Sequence, residues 1–306
     1  MALRLLQKEL DVICLYRKTP KLDKSSTNKQ PTNLVVDLNN EEEFEIFSHS
    51  CPPFDAVISC LGSRTGGIRD SWRSEYLANL NILRLALKRS TRKFVLLSAI
   101  CVQKPKLHFQ HAKLAMENEL IHCGITYTII RPTAFFKSLA GQVDRVKSGK
   151  SFITFDSGEN TSCKPMSELD LAEYICSSLT NPAQENKVLP IGGASPAITP
   201  LDQGNLLFNL TGKKPKFLRV PSHLFKFLQT ILTPLSYFSS SFRDRIEFLK
   251  IAHYYATESM LFWENESIGY SSEKTPEFGT ESLKYFYGLV LKKGLDGQDL
   301  GSHKLF

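Results

Sequence analysis

Short apolar runs alternate with longer amphipathic segments over the first 195 residues of the chain. Between the runs, apolar side chains recur at helical spacing, as at Leu77, Leu80, Leu83 and Leu87. This alternation predicts an α/β fold, in which a doubly wound parallel sheet is flanked by crossover helices. The predicted strands are 11–16, 34–37, 56–61, 94–98, 127–131 and 188–191.

The pattern changes after Pro196, where helical spacing dominates and no clear strand is visible. We therefore predict an α/β domain over 1–195 and a helical lobe over 196–306. The stretch 217–263 is rich in aromatic residues. These rings either form the core of the lobe or partly line a slot for a flat ligand. The predicted helices of the lobe are 201–210, 222–232, 242–263 and 280–291.

Composition restricts the function without defining it. The 306 residues are enough to bury an ordinary core, and no apolar run reaches the roughly 18 residues that cross a bilayer. The net charge of +7 is modest, and basic residues are interspersed with acidic ones except between Lys213 and Arg219. This charge suits anionic small molecules better than nucleic acid, so we expect no nucleic-acid partner.

The seven cysteines are scattered and form no C-x-x-C pair. We expect reduced structural thiols and no metal site.

Polar and small residues follow several predicted strands, where ligands of doubly wound sheets bind. Arg17 follows the strand at 11–16, and a guanidinium there favours the 2'-phosphate of NADP(H). Gly62 and Ser63 follow the strand at 56–61 and indicate either close approach to a cofactor or a simple turn. Ser98 follows the next strand, where its hydroxyl would face a reacting group.

The segment from Phe109 to Lys113 begins an amphipathic helix. Short-chain reductases place Tyr-x-x-x-Lys here, with both side chains on the face toward the nicotinamide. Phe109 stands in place of the tyrosine and cannot donate a proton, which disfavours carbonyl reduction, whereas Lys113 can still bind the nicotinamide ribose. Pro132 follows the strand at 127–131 and is a candidate for closing over the nicotinamide.

Six stretches of the chain together resemble the divinyl chlorophyllide 8-vinyl reductase family, an atypical branch of the short-chain reductases related to isoflavone reductase and NmrA-like proteins. The resemblance covers nearly the whole chain. The stretches are 97–105 (LSAICVQKP), 109–114 (FQHAKL), 130–143 (IRPTAFFKSLAGQV), 163–167 (CKPMS), 255–260 (YATESM) and 275–280 (TPEFGT).

The resemblance implies a Rossmann-like domain that uses NADPH to reduce the 8-vinyl group of a divinyl chlorophyllide or protochlorophyllide to ethyl. Lys113 is the catalytic residue that it implies, and it leaves the proton donor open. The implied cofactor-binding residues are Arg17, Gly62, Ser63, Ser98, Pro132 and Thr133. The implied substrate-binding residues are Phe136, Lys137 and Arg219, with Lys137 or Arg219 pairing with the propionate.

One departure from the family concerns the start of the chain. The family opens with a strand and a Gly-x-x-Gly-x-x-Gly turn, whereas this chain opens within the segment that matches the following helix. We therefore expect the central first strand and the phosphate loop to be missing, NADPH binding to be weak, and an upstream extension of the reading frame. The strands at 11–16 and 56–61 would then face a gap or pair directly.

Two other interpretations remain open: a non-catalytic NADP sensor of the NmrA-like type, and an inactive truncated copy. The resemblance implies a chloroplast location in a eukaryote or a cytoplasmic one in a photosynthetic bacterium. It is also compatible with peripheral association with photosynthetic membranes. It leaves the oligomeric state undefined.

Overall fold

A five-stranded parallel sheet of order β11-β7-β5-β4-β3 forms the centre of the protein, in a computed structural model that describes residues 1–18, 29–236 and 239–294. The strands are β1 Ile13–Tyr16, β2 Thr32–Val35, β3 Ala56–Ser59, β4 Lys93–Leu97, β5 Thr126–Pro132, β6 Phe152–Phe155, β7 Lys187–Gly193, β8 Phe217–Val220, β9 Phe262–Trp263, β10 Tyr270–Ser271 and β11 Glu277–Phe278.

Helices flank the sheet and form most of the remaining structure. They are α1 Ala2–Gln7, α2 Glu41–Ser50, α3 Ile68–Ser71, α4 Ala78–Lys88, α5 His108–His122, α6 Val143–Lys147, α7 Glu168–Ser177, α8 Pro200–Thr211, α9 His223–Ser236, α10 Ser240–Thr257 and α11 Leu283–Lys293. A π-helical segment, Trp72–Leu77, joins α3 to α4, and short 3₁₀ segments cover Ile100–Gln103, Lys137–Gln142 and Pro182–Gln184.

The predicted α/β fold is confirmed, and all six predicted strands occur within two residues of their expected bounds. The central strands are buried on both faces, as parallel strands covered by helices are. Phe94, Val95, Ile129 and Ile130 have no exposed surface. Gly124 follows α5 with a φ of 85°, a left-handed conformation that ends a helix at little cost only in glycine.

The strands β1 and β2 form a separate parallel sheet. Within the described residues, β1 is not hydrogen-bonded to β3, so the direct pairing that we considered for these two strands does not occur. Leu15 on β1 and Leu34 on β2 nevertheless pack against the same hydrophobic core as β3 and β4. The two sheets are therefore joined by side-chain packing.

The expectation that residues after Pro196 contain no strand is wrong. The strand β8 pairs in parallel with β6, and β11 extends the central sheet beside β7. Two- to four-residue strands give too few alternating positions to be detected in a sequence. The C-terminal part of the chain is thus interleaved with the first part. Its strand β8 pairs with β6 of the first part, and its strand β11 joins the central sheet.

The lobe has its own core, which α8, α11 and the β6–β8 sheet form together. The Phe217 ring lies 5.6 Å from that of Phe208 and 6.1 Å from that of Phe152, measured between centroids. Across residues 1–18, 29–236 and 239–294, every helix is too short or too polar to cross a bilayer.

Candidate functional site

The carboxyl ends of β3, β4 and β5 lie along one edge of the central sheet, because the three strands are parallel and in register. The loops that follow them begin at Cys60, Ser98 and Thr133, and α5 begins beside the second loop. The side chains at this edge, Lys113 and Ser98 among them, line a narrow cleft that leaves essentially no room for a water molecule. The structure thus brings two predicted site residues together, in a space smaller than a pigment requires.

Lys113 forms a buried ion pair at this edge. Its Nζ lies 2.7 Å from Oε2 of Glu75, and the two side chains are 12% and 5% exposed. The other oxygen of Glu75, Oε1, accepts a hydrogen bond of 2.8 Å from the backbone N–H of Ser63. Glu75 lies in the π-helical segment, an irregularity that is frequent at functional sites. One carboxylate therefore connects α5 to the loop after β3.

In the loop after β3, every backbone N–H from Ser63 to Ile68 donates a hydrogen bond to a side chain of the protein. The Oδ2 of Asp70 accepts hydrogen bonds from the N–H groups of Arg64 and Thr65 at 3.0 and 3.1 Å, and from the hydroxyls of Ser63 and Thr65. The pKa of Asp70 would rise on burial, but these donated hydrogen bonds outweigh that effect and lower it to about 2. The remaining N–H groups of the loop, of Gly66, Gly67 and Ile68, donate to Ser63 Oγ, Thr65 Oγ1 and Asp244 Oδ1.

This arrangement bears on the prediction that Gly62 and Ser63 lie at the middle of the cofactor, which stays a prediction. Both the N–H and the hydroxyl of Ser63 are already directed at carboxylates, those of Glu75 and Asp70. An anionic pyrophosphate would meet these two negative charges, which is electrostatically unfavourable. Gly62 has no side chain, so its backbone is open to close approach. An added Cβ would be in ordinary van der Waals contact with Glu75, at 3.5 Å.

Helix α10 crosses over the same loop. A Cβ added to Gly66, where φ is +67°, would lie 2.5 Å from Cδ1 of Ile251. A Cβ added to Gly67 would lie 3.0 Å from Oδ1 of Asp244, which also accepts the N–H of Ile68 at 3.2 Å. The glycines are therefore required for the close approach of α10, and the lobe closes over the strand ends.

Two tyrosines at the end of α10 reach the loop after β4. The Tyr254 hydroxyl donates to the carbonyl oxygen of Cys101 at 2.9 Å. The Tyr255 hydroxyl hydrogen-bonds the Cys101 side chain, and the Tyr255 ring lies 5.7 Å from that of Tyr254. Although the residue as a whole is 37% exposed, desolvation of its hydroxyl, followed by the nearby Cys101, raises the pKa of Tyr255 well above its ordinary value, so its hydroxyl is protonated at neutral pH.

Phe109 packs into the cluster that joins α5 to α10, together with Cys101, Leu107, Ile251 and Tyr254. The ring therefore holds the lobe against the α/β domain. Two aromatic residues of the stretch 217–263 pack in different hydrophobic clusters. Phe217 lies in the lobe core, whereas Tyr254 lies at the strand ends.

Ser98 and Thr133 are both buried, at 5% exposure each. The hydroxyl of Ser98 donates to Glu117, and Arg131 pairs with the same carboxylate through Nε at 3.1 Å. Thr133 donates its N–H to the carbonyl oxygen of Ile191 at 2.9 Å and its hydroxyl to that of Lys164. The donors of both residues are therefore occupied within the protein.

The other predicted residues lie apart from the ion pair. Pro132 is the last residue of β5 and is in register with Ile191 of β7. Arg17 is exposed just after β1, where its guanidinium is accessible. Arg219 is exposed on β8, in the β6–β8 sheet, and Lys137 begins the 3₁₀ segment after β5.

Phe136 requires a correction, because the structure gives it no exposed surface. It is 0% exposed, and its ring packs 5.6 Å from that of Phe286. A substrate cannot contact this side chain as the protein is folded, so Phe136 belongs to the lobe core.

Sequence reasoning missed three residues of this site: Glu75, Glu117 and Tyr255. Glu75 and Asn79 share a helix face with Ile82, Leu83 and Ala86, and a carboxylate on an apolar face signals a buried charge. Glu117 is likewise 2% exposed on the face of α5 that carries Met116 and Leu120. Tyr255 gives no such signal, because its place depends on how α10 crosses the sheet.

The comparisons with known proteins agree with this geometry. A model of an NAD(P)H-binding family matches residues 1–182. The chain is 49% identical over 259 residues to divinyl chlorophyllide a 8-vinyl-reductase, chloroplastic, of Cucumis sativus, covering 83% of this chain and 62% of that protein. It is 45% identical over 291 residues to the protein of the same name from Arabidopsis thaliana, covering 92% and 70%.

A crystal structure of a nucleoside-diphosphate-sugar epimerase from Staphylococcus aureus shares the fold, with a TM-score of 0.62 at 13% identity over 94% of each chain. The chain spans 62% and 70% of the length of the two curated relatives. Within the NAD(P)H-binding family that the matched model defines, the chain belongs to the divinyl chlorophyllide a 8-vinyl-reductases.

Proposed function

We propose that the protein reduces the 8-vinyl group of divinyl chlorophyllide a, or of divinyl protochlorophyllide, to an ethyl group with NADPH. The names of the relatives support this reaction. The observation that carries it is the pairing of Lys113 with Glu75 at the strand ends, while Phe109 stands where carbonyl reductases have a tyrosine. The site thus keeps a cation for the cofactor and omits the usual proton donor to a carbonyl.

The described residues fit the two ends of NADPH. We propose that the exposed guanidinium of Arg17 binds the 2'-phosphate and that Lys113 binds the nicotinamide ribose, with Gly62 allowing close approach. Because the N–H groups of 63–68 are already paired, we do not assign the pyrophosphate to that loop. Pro132 and Thr133 would contact the nicotinamide through van der Waals packing and not through hydrogen bonds, since the donors of Thr133 are used elsewhere.

When bound, the cofactor supplies a hydride to one carbon of the vinyl group. We propose that the Tyr255 hydroxyl delivers the proton to the other carbon, since Tyr255 is 37% exposed and Tyr254, the other phenol that α10 holds beside Cys101, is only 2% exposed. The C=C π bond breaks, two C–H bonds form, the nicotinamide is oxidised, and the tyrosinate regains a proton from solvent. A high pKa keeps this phenol protonated until carbanion character develops in the substrate.

The pigment would lie outside the narrow cleft at Lys113 and Ser98, between the strand ends and the lobe. Its propionate requires a cation, and Lys137 and Arg219 are the residues that we assign to it. The relatives' names include the word chloroplastic, and we propose a plastid location for this protein on that basis. Neither assignment is needed for the reduction step itself.

Incubation of the purified full-length protein with NADPH and divinyl chlorophyllide tests the proposal. We expect the pigment to be converted to the monovinyl form, as measured by chromatography and mass spectrometry. NADPH binding without conversion would instead indicate a sensor of the NmrA-like type. Folded protein that neither binds NADPH nor converts pigment would indicate an inactive copy.

A further inference from the structure

One face of α9 exposes four large apolar side chains to solvent. They recur at positions i, i+3, i+4 and i+7, which lie side by side on a helix. We call this set the α9 face: Leu224 at 41% exposure, Phe227 at 60%, Leu228 at 36% and Ile231 at 53%. Isolated exposed apolar residues are common, but a continuous stripe marks an interaction surface.

A neighbouring side of α9 already holds the helix to the protein. Phe225, Gln229 and Leu232 are half-buried on that side, and the Phe225 ring lies 5.0 Å from that of Phe155. The helix also packs along α10. The α9 face is therefore not required for attaching α9 to the rest of the fold.

The chain segment that carries the α9 face has charged residues of one sign, although Asp156 from the loop after β6 accepts the N–H of Ser222 just before α9. Between Asp202 and Asp244 the chain contains no aspartate or glutamate. The same stretch carries six exposed basic residues: Lys213, Lys214, Lys216, Arg219, Lys226 and Arg243. Leu218, in the middle of the basic group before α9, is itself 48% exposed. Exposed apolar and basic side chains are thus combined in one segment free of acidic residues.

We propose that the α9 face and its basic flank form a docking surface for an anionic lipid bilayer. Apolar side chains of an amphipathic helix enter the boundary between headgroups and acyl chains, while lysines and arginines bind the anionic headgroups. Such docking requires no membrane-spanning helix. The inference does not rest on the reductase activity, and its test is independent of turnover.

Two other occupants are less compatible with these observations. In a two-fold dimer the same surface meets itself, which would bring the six basic residues of each copy close to those of the other. A pigment requires a concave pocket that covers most of its surface, whereas the α9 face is the outer side of a helix. A lipid surface satisfies both the charge and the convex shape.

Vesicle sedimentation with the full-length protein tests the proposal. We expect sedimentation with vesicles of phosphatidylcholine mixed with phosphatidylglycerol, weaker sedimentation with phosphatidylcholine alone, and a decrease at high salt. The double variant Phe227→Ser/Ile231→Ser should lose about tenfold or more in partitioning, because two large side chains no longer enter the lipid. The triple variant Lys213→Gln/Lys214→Gln/Lys216→Gln should lose roughly 100-fold on anionic vesicles only.

Ile46→Ser is the matched control, because Ile46 is 64% exposed on the unrelated helix α2. It should sediment like the unchanged protein, and urea midpoints should show that every variant is folded. A Phe227→Trp variant adds a direct readout, since brominated lipid should quench its fluorescence if the ring enters the bilayer. Absence of both sedimentation and quenching would overturn the proposal. So would a dimer in light scattering that Phe227→Ser/Ile231→Ser dissociates.

Discussion

Nζ of Lys113 and Oε2 of Glu75 lie 2.7 Å apart and are almost completely removed from solvent. Both charges lose hydration in such a pair, so removal of one partner leaves the other buried and uncompensated. Because Glu75 also accepts the N–H of Ser63, the pair holds α5 against the loop after β3. Lys113 is therefore structural as well as a candidate cofactor contact, and one substitution does not separate the two roles.

A double substitution separates the structural role of Lys113 from its role as a candidate cofactor contact. Lys113→Met should lower the free energy of unfolding by about 3–5 kcal/mol, because Glu75 keeps its charge in the interior. Adding Glu75→Gln should restore most of that loss. Urea unfolding of the two variants measures the difference.

Arg92→Met is the control for an exposed ion pair, since the side chains of Arg92 and Asp55 are 80% and 82% exposed. It should leave the free energy of unfolding almost unchanged, because solvent screens an exposed ion pair. If the folded double variant still fails to turn over substrate, the ammonium of Lys113 is needed for the reaction. Turnover equal to that of the unchanged protein would remove Lys113 from the site.

The role proposed for Tyr255 leads to a kinetic prediction. Tyr255→Phe keeps the ring beside Tyr254 and removes the hydroxyl, so kcat should fall by about 100-fold to 10,000-fold. The KM for NADPH should stay close to its original value, because the hydroxyl acts on the substrate. Steady-state assays of the full-length protein measure both constants.

Tyr285→Phe is the matched control, because Tyr285 is 62% exposed on α11 and should show unchanged kinetics. A Tyr255→Phe enzyme with full kcat would show that the proton comes from another group.

The low pKa of Asp70 predicts a specific acid sensitivity. A carboxyl whose pKa falls from an unfolded value near 3.9 to about 2 on folding stabilises the protein above about pH 4. That contribution is lost as the pH falls from about 4 to about 2. Urea midpoints should therefore decrease across this window, and Asp70→Asn should decrease less steeply while being less stable near neutral pH. Parallel curves for the two proteins would contradict the assignment.

The alternation of apolar runs was sufficient to predict the sheet. The strand β4, for example, contains the continuous apolar run 94–97, because both of its faces are covered by helices. The short strand β8 escaped prediction, because Leu218 and Arg219 are exposed and only Phe217 contributes to a core. Its pairing with β6 depends on a contact between segments more than 60 residues apart, which no local pattern shows.

The candidate site could likewise be predicted only in part, because contacts between distant segments leave no local pattern in the sequence. Lys113 could be found because its spacing from Phe109 lies within one helix. The partner Glu75 is 38 positions away, and its contact with Lys113 is created by the packing of α5 against the π-helical segment. Ser63 was assigned to the cofactor because small residues at a strand end let the backbone approach a ligand closely, and a sequence does not show where the donors of Ser63 are directed. The fold directs those donors to Glu75 and Asp70.

Gly193 offers a last test, because a Cβ at this position would clash with the carbonyl oxygen of Pro165. That oxygen belongs to the backbone, which cannot rotate away as a side chain would. The N–H of Gly193 also donates to the carbonyl oxygen of Lys164 at 3.1 Å, the same oxygen that accepts the Thr133 hydroxyl. Gly193→Ala should therefore lower the free energy of unfolding by about 1–3 kcal/mol or more. It should also displace Thr133, so that the fraction that folds has lower activity.

Gly288 is the matched control, since it lies inside α11 and a Cβ there would meet no atom within 4 Å in the described structure. Gly288→Ala should stabilise the protein by about 0.5–1 kcal/mol, because alanine loses less backbone freedom in a helix. Thermal and urea unfolding of the two variants should shift in opposite directions. Equal stability of Gly193→Ala and the unchanged protein would mean that β7 and the 164–166 segment are less closely packed than the structure indicates.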